Sequence, residues 1–429
     1  MKKLKSWLAS ANTLDCEFPL ANLPYAVFSA KEQSHSIGVG LGDQVANLRM
    51  LEEAGLFDDL SPSLRESVRQ STLNPLMGLG SDQWGALRQR LTALFSHIEY
   101  KEVVEPCFIP QADVVFHLPC QIGDYSDFYT SVHHASRVGA LFRPDNPLLP
   151  NYKWVPVAYH GRASSIRISG EAFKRPAGQL KVPESDRPAL GLCQRLDYEL
   201  ELGIFIGTGN SLGEPIDIDE AEQHVFGVSM FNDWSARDIQ AWEYQPLGPF
   251  LSKSFFSSLS PWIMPMAALA PYRCHWTREA SDPQPLDYLD SATNRTQGAI
   301  DIKLEVWIET EKMRANNQPA ERLSTSNFKD SYWTIAQMVA HHTINGCDVK
   351  PGDLLGSGTQ SGPAPEESGS LLELTAGGKE PITLSNGEQR TFVEDGDRII
   401  LKGYCGNEQH RIGLGKVENI VKSGNSHLP

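Results

Sequence analysis

"LDYELELGIFIG", residues 196–207, decides how the rest of the chain is read. Successive side chains of an extended strand point to opposite faces, so Leu200, Leu202, Ile204 and Ile206 share one apolar face. Glu199 and Glu201 share the other, about 6.5–7 Å apart at Cα. Two like charges side by side have two physical explanations. Either the face meets water, as one side of an antiparallel sheet commonly does, or a cation sits between the carboxylates. The stretch is a strand in both cases. Further strands are expected at 224–231, 300–309, 391–402 and 410–418, with two prominent helices at 128–142 and 331–344. That balance points to a mainly β or α+β fold and away from a doubly wound α/β fold.

Toward the N-terminus, short strands are expected within 25–48, with a turn at Gly42-Asp43. Helical spacing appears at 62–72 and again at 82–99. In the second, Ser81 or Asp82 can cap, and Trp84, Leu87, Leu91, Leu94 and Phe95 form an apolar stripe. This part reads as a small β-rich domain, 1–117, ahead of a larger unit, 118–429. Residues 270–299 are polar and proline-containing, which predicts a surface loop. The helix 331–344 has Asp330 or Ser331 as its cap and Asn345-Gly346 as its stop.

The chain of 429 residues has a net charge of −15 and no dense Lys/Arg block, which argues against nucleic-acid or anionic-membrane partners. A local basic pocket for a small anionic substrate remains compatible with that charge. No apolar run approaches the ~18–20 residues that cross a bilayer. The opening "MKKLKSWLAS" is basic, but its apolar run is too short for a signal peptide, so a cytoplasmic protein is expected. Seven cysteines without a C-x-x-C point to reduced thiols. No glycine-rich phosphate-binding motif supports nucleotide binding.

Two segments concentrate chemistry. In "NDWSARDIQAWEYQPLGPFLSKSF", 232–255, Asn232 or Asp233 can open a helix with Asp233, Arg237, Gln240 and Tyr244 on one face. That face is either solvated or part of a site. Pro246 and Pro249 stiffen the loop beyond this helix, and Lys253 comes soon after. In "DYSDFYTSVHHASRVGALFR", 124–143, Asp127 sits where a helix would start, His134 lies two turns later on the same side, and Arg143 lies at the end. His133 and His134 point about 100° apart, so only one can serve a given site. If Asp127, Glu199, Glu201 and Asp233 converge, an oxygen-only site results. Such a site selects a hard cation, and four carboxylates favour Ca²⁺ over the smaller Mg²⁺.

At these residues the chain resembles the fumarylacetoacetase family. The matching stretches are "IGDYSDFY…HA…VG…FR" (122–143), "VAYHGRASSI" (157–166), "LDYELELGIFIG" (196–207), "NDWSARDIQAWEYQPLGPFLSKSF" (232–255), "NGCDVKPGDLLGSGTQSG" (345–362) and "SLLEL" (370–374). They come in the family's order, and the resemblance includes the N-terminal part that smaller hydrolases of the superfamily lack. It implies a small SH3-like N-terminal β-barrel, a larger β-roll catalytic domain and a homodimer. It implies Ca²⁺ on Asp127, Glu199, Glu201 and Asp233, His134 as base, and Glu373 as its carboxylate partner. Arg237, Gln240 and Lys253 match the oxyanion-stabilising set, and Tyr129, Arg143, Gln240, Tyr244 and Thr359 the substrate contacts.

The resemblance also implies a second cation, Mg²⁺, near Asp233, Lys253 and Ser257. Where the family usually has Gly-Thr this chain has Phe256-Ser257, so that ion is expected to be weak or absent. The implied reaction is metal-dependent hydrolysis of a carbon–carbon bond in 4-fumarylacetoacetate, a small diketo-dicarboxylate. The products are fumarate and acetoacetate, in the last step of tyrosine and phenylalanine catabolism. The alternatives are a related acylpyruvate hydrolase, a 2-oxo acid decarboxylase of the same superfamily, or a non-catalytic scaffold. The joint presence of His134, Glu373, Arg237, Gln240 and Lys253 argues against the scaffold.

Overall fold

The strand Leu200–Ile206 forms as its alternation predicts, and it lies inside an eight-stranded sheet. The computed structural model describes residues 5–30, 34–407 and 410–425. On one side Leu200–Ile206 runs antiparallel to Val225–Asp233, with Leu200 opposite Asn232 and Glu201 opposite Phe231. On the other side it runs antiparallel to Leu354–Gly356. Tyr125–Phe128 then pairs parallel with Leu354–Gly356, placing Asp127 beside Gly356. Ala158–His160 closes that edge, and Ser257–Leu259 and Ile166–Ile168 extend the other.

Neither face of this sheet meets water at its centre. Leu200, Leu202, Ile204 and Ile206 enter a core with Trp234, Met230 and Trp333. Phe205 and Phe231, on the opposite face, enter a second core built largely by the N-terminal elements. Glu201 is therefore 0 % exposed and Glu199 5 %. The water-facing explanation for the paired glutamates fails on burial, and a compensating charge is required.

A second sheet orders Glu321–Asn327, Lys303–Glu309, Arg398–Asn407, His410–Lys422 and Phe173–Lys174. Its residues Leu304, Leu401, Leu414 and Val417 share the larger core with Met230 of the first sheet. The N-terminal sheet is antiparallel throughout, in the order Phe108–Pro110, Gln44–Asn47, Ser36–Leu41, Tyr25–Ser29, Val115–His117. It is tied to the larger unit by reciprocal backbone hydrogen bonds between Tyr25 and Ile263, 2.9 and 2.8 Å. The fold is mixed β with an N-terminal β-sheet unit, as the strand pattern predicts.

Several helix limits differ from expectation. The stripe Leu87, Leu91, Leu94 and Phe95 is buried, but the helix Ser81–Ser96 starts after Gly80, with no side-chain cap from Ser81 or Asp82. The expected helix 62–72 is Pro62–Ser67, capped by Ser61. The helix expected at 128–142 is Val132–Phe142, capped by Ser131, because the residues before it are used as strand. The helix expected at 331–344 is Ile335–Thr343, where Thr334 and Gln337 form a capping box that supersedes Asp330 and Ser331. The strand expected at 391–402 is Arg398–Asn407. Among the described residues no helix is long and apolar enough to cross a membrane.

Candidate active site and metal centre

Three strands of one sheet deliver four carboxylates to one point. Asp127 lies in Tyr125–Phe128, Glu199 and Glu201 flank the start of Leu200–Ile206, and Asp233 ends Val225–Asp233. One oxygen from each lies within 4.8 Å of the others, and all four residues are buried. Gly356, between the strands of Asp127 and Glu201, makes the space. A Cβ there would come to 2.6 Å from Oδ1 of Asp127 and 3.1 Å from Oε2 of Glu201. Gly358, at φ +72, turns its N–H onto Oε2 of Glu201 at 3.0 Å.

The cluster fits a hard divalent cation on its own chemistry. Oδ1 of Asp127 and Oε1 of Glu201 are buried without a hydrogen-bond donor. Burial, then repulsion from Asp233, pushes the Asp127 carboxyl well up. Burial, then repulsion from Asp127 and Asp233, does the same to Glu201. A cation supplies what these oxygens lack and reverses both shifts, and an all-oxygen donor set suits Ca²⁺ or Mg²⁺.

Two basic side chains meet two carboxylates of the cluster, Glu199 and Asp233. Lys253 Nζ pairs with Oε2 of Glu199 and, at 2.7 Å, with Oδ2 of Asp233. Arg237 Nη1 donates to Oε1 of Glu199 at 2.7 Å, and its Nε donates to Oδ2 of Asp197 at 3.0 Å. Burial raises the Glu199 carboxyl, but Lys253 and Arg237 outweigh it and hold it well below the usual range. Burial opposes the charge on Lys253, yet Asp233 and Glu199 keep it firmly protonated. The Nη2 of Arg237 lies 2.9 Å from Oδ2 of Asp197 but without hydrogen-bond alignment, which leaves a buried donor uncommitted.

A histidine–carboxylate pair completes the arrangement. His134 lies in the first turn of Val132–Phe142, and its Nδ1 is 2.6 Å from Oε2 of Glu373, on the short helix Leu371–Leu374. Ser370 and Ser361 donate to the same oxygen at 2.8 and 3.0 Å. Burial pushes the Glu373 carboxyl up, but His134 and the two hydroxyls outweigh it, so the net direction is down. With Nδ1 held by the carboxylate, Nε2 is left as the proton acceptor. The Tyr129 ring meets the imidazole edge-on at 5.3 Å.

The other expected residues fall at graded distances. Gln240 Oε1 lies 3.4 Å from Arg237 Nη1. Thr359 is buried directly after Gly358. Arg143 is exposed at the end of Val132–Phe142 and lines, with Tyr129 and Tyr152, a cavity of about 140 Å³. Tyr244, at the end of Arg237–Glu243, is 42 % exposed. Ser257 donates to Oδ1 of Asp233 at 2.9 Å.

Two expected alignments are corrected. Asp233, Arg237, Gln240 and Tyr244 do not share one helix, because Asp233 closes a strand and the helix starts at Arg237. Asp127 does not open the helix of His134, because it pairs in the sheet with Gly356. Sequence reasoning passed over Asp197, Tyr159, Ser361 and Ser370. Tyr159 donates to Oδ2 of Asp233 at 3.1 Å. Asp197 accepts from Arg237 and from the backbone N–H groups of Leu371 and Leu372, at 2.8 and 3.0 Å, so it anchors the helix that carries Glu373. The alternation of 197, 199 and 201 was the signal for it.

The family pattern described as Fumarylacetoacetate (FAA) hydrolase C-terminal matches residues 125–422, and Fumarylacetoacetase N-terminal matches 21–119. A fumarylacetoacetase from Homo sapiens is 47 % identical over 415 residues, covering 95 % of this chain and 96 % of that one. One from Caenorhabditis elegans is 44 % identical over 427 residues, covering 97 % and 99 %. Among solved structures, a fumarylacetoacetate hydrolase from psychrophilic Exiguobacterium antarcticum aligns with a TM-score of 0.52 at 17 % identity, covering 94 % of this chain and 99 % of that one; at that identity the likeness concerns fold alone. Nearly full-length identity at this level, with both family patterns in order, makes the chain a hydrolytic enzyme and a member of the fumarylacetoacetate hydrolase family.

Proposed function

We propose that the enzyme hydrolyses 4-fumarylacetoacetate to fumarate and acetoacetate, the last step of tyrosine and phenylalanine breakdown. The observation that carries the reading is the buried His134–Glu373 pair, whose imidazole acts electrostatically on Glu199 of a four-carboxylate cluster that Arg237 and Lys253 also meet. The names of the full-length relatives point to the same substrate. A divalent cation held by Asp127, Glu199, Glu201 and Asp233 supplies Lewis acidity toward the diketone. Four carboxylates favour Ca²⁺ there.

The chain's own residues divide the remaining work. Glu373 fixes the imidazole with its proton on Nδ1, so Nε2 of His134 takes a proton from water as the water oxygen adds to the carbonyl carbon of the fumaryl group. The oxyanion that forms meets the Arg237 guanidinium, the amide nitrogen of Gln240 and the Lys253 ammonium. Removing one such donor typically costs roughly 3–4 kcal/mol of barrier. The carbon–carbon bond then breaks, and its electron pair passes to the acetoacetate carbon as an enolate. His134 returns its proton to that carbon, which gives acetoacetate, while the other fragment leaves as fumarate. Tyr129, Arg143, Tyr244 and Thr359 are the proposed substrate contacts, with Arg143 suited to a terminal carboxylate.

The same reading places the enzyme in the cytoplasm, which its seven free cysteines support. It takes 1–117 as an SH3-like domain and 118–429 as the catalytic domain. It also expects a homodimer, for which the exposed Trp242, Leu247 and Phe250 beside the site offer apolar surface. The test is turnover of fumarylacetoacetate, followed by loss of diketone absorbance with product assay. Fumarate and acetoacetate in equal amounts are expected. Release of CO₂, or no turnover by the metal-loaded protein, overturns the proposal.

A further inference from the structure

Glu373 has two oxygens, and they are served very differently. Oε2 accepts from His134, Ser370 and Ser361. Oε1 faces Arg137, whose Nη1 lies 3.4 Å away. Arg137 is three residues after His134 on Val132–Phe142, so both project from one side of the helix. Its Nη2 donates to the carbonyls of Gly362, Pro363 and Ala364 at 2.7, 2.9 and 2.7 Å. Its Nη1 also reaches the Ser368 hydroxyl at 3.3 Å. The guanidinium is thus locked between the segment 362–368 and the carboxylate. The Glu373 side chain is 0 % exposed and that of Arg137 23 %, so little water screens the pair.

We propose that Arg137 is a positioning residue for the catalytic pair: it anchors the second oxygen of Glu373, holds that carboxylate aimed at His134, and sets a fixed positive charge beside the pair. This rests on the reading of His134 as the base. Without Arg137, Oε1 is a buried carboxylate oxygen with no charged donor, and a single remaining anchor point lets the carboxylate swing. Loss of the positive charge also makes imidazolium beside Glu373 easier to form. Other charged or titratable groups surround the pair. His133 lies on the same helix and feels Arg137, Asp330 and Glu367. Tyr129 feels Glu199, Arg237 and Arg143 as well as Glu373. All of these stay in place when Arg137 is changed, so a shift on substitution reports the guanidinium.

A merely structural Arg137 would pin the loop 362–364 and nothing more. Arg137→Gln and Arg137→Lys separate the two roles. The readouts are kcat and KM for fumarylacetoacetate across pH, the melting temperature, and the titration of the His134 imidazole by ¹³C NMR, assigned by loss of its signal in His134→Gln. Arg137→Gln is expected to lower kcat tenfold or more with KM within about twofold. It moves the acid limb of kcat/KM and the His134 titration upward by about half a pH unit or more. Arg137→Lys keeps the charge, so both curves stay in place and most of kcat returns, although the carbonyl contacts are lost and melting falls. The inference is overturned if Arg137→Gln lowers only the melting temperature, or if Arg137→Lys moves the curves as far as the glutamine variant does. If the wild-type protein does not turn over fumarylacetoacetate, the functional reading fails, and the NMR titration still decides whether Arg137 governs His134.

Discussion

Nδ1 of His134 and Oε2 of Glu373 lie 2.6 Å apart although 239 residues separate them in the chain. Both side chains are buried. Under the proposed function this contact favours His134 over its neighbour as the base. His133 points elsewhere, is only half-buried, and is disfavoured as a cation by its burial and by Arg137.

His134→Ala is therefore expected to lower kcat by at least 10²–10³-fold, the range lost with a general base. The bound cation and the melting transition should stay close to wild type. His133→Ala should change kcat by less than about fivefold. Steady-state kinetics of the two variants, with elemental analysis of each, checks the ranking, and the reverse order would reassign the base.

Removal of the cation is expected to abolish turnover, because Asp127 and Glu201 are left buried, mutually repelling and short of donors. In that state Lys253 offsets the repulsion only in part and burial still favours the protonated carboxyls, so re-binding of Ca²⁺ or Mg²⁺ should release protons as well as restore activity. Exhaustive chelation followed by calorimetric titration in buffers of different ionisation enthalpy measures both. Full activity with no metal by elemental analysis would rule out the dependence.

The sequence was legible where period and spacing suffice. Glu199 and Glu201 share a face because a strand repeats every two residues, and that holds. The burial of that face was not legible, because it depends on elements far away in the chain that cover Phe205 and Phe231. Asp127 and Asp233 look like helix caps in isolation, since a polar residue at a strand end and one before a helix have the same local signature. Only the parallel pairing with Leu354–Gly356 settles Asp127. Glu373 has no local signal at all: it sits on a four-residue helix, and only the family resemblance pointed to it before its contact with His134 was in view. Asp197 was one step along the alternation already in use. Its roles toward Arg237 and the backbone of 371–372 needed three-dimensional contacts.

A pH-dependent stability effect is expected at Glu52, remote from the site. Its side chain is 1 % exposed and is held by Arg65 at 2.9 Å and by Arg69. Burial raises its carboxyl, but the two arginines outweigh this, so the folded pKa lies below the ordinary 4.5. The unfolded chain takes up the proton first as pH falls. The stabilisation is thus complete above the unfolded value and disappears as pH drops through the folded one. Glu52→Gln should cost roughly 1–2 kcal/mol near neutrality, discounted because both arginines are partly exposed. The difference in melting temperature between wild type and variant should shrink below about pH 4.5. A difference that is constant from pH 7 to pH 4 would contradict the assignment.

A second cation near Ser257 is expected to be weak or absent. Both oxygens of Asp233 are already engaged: Oδ1 by the Ser257 hydroxyl at 2.9 Å, and Oδ2 by Lys253 at 2.7 Å and Tyr159 at 3.1 Å. With Asp233 already a proposed ligand of the first cation, a second ion there would have to share that carboxylate with both the first ion and a buried ammonium, and like charges at that separation repel. The backbone is also less free to adapt here than a Gly-Thr pair would be. Phe256 is 6 % exposed, and its ring stacks on Phe173 at 4.4 Å with an interplanar angle of 14°. Moving residues 256–257 to offer carbonyl oxygens would break that stack, which belongs to the larger core. Ser257 retains the hydroxyl, so donor chemistry is not what is lost. Elemental analysis after equilibration with Ca²⁺ and excess Mg²⁺ should find one divalent ion per chain. A crystal soaked in Mg²⁺ that shows a fully occupied, six-coordinate ion beside Ser257 would sink the prediction, and Lys253 would then have to be displaced from Asp233.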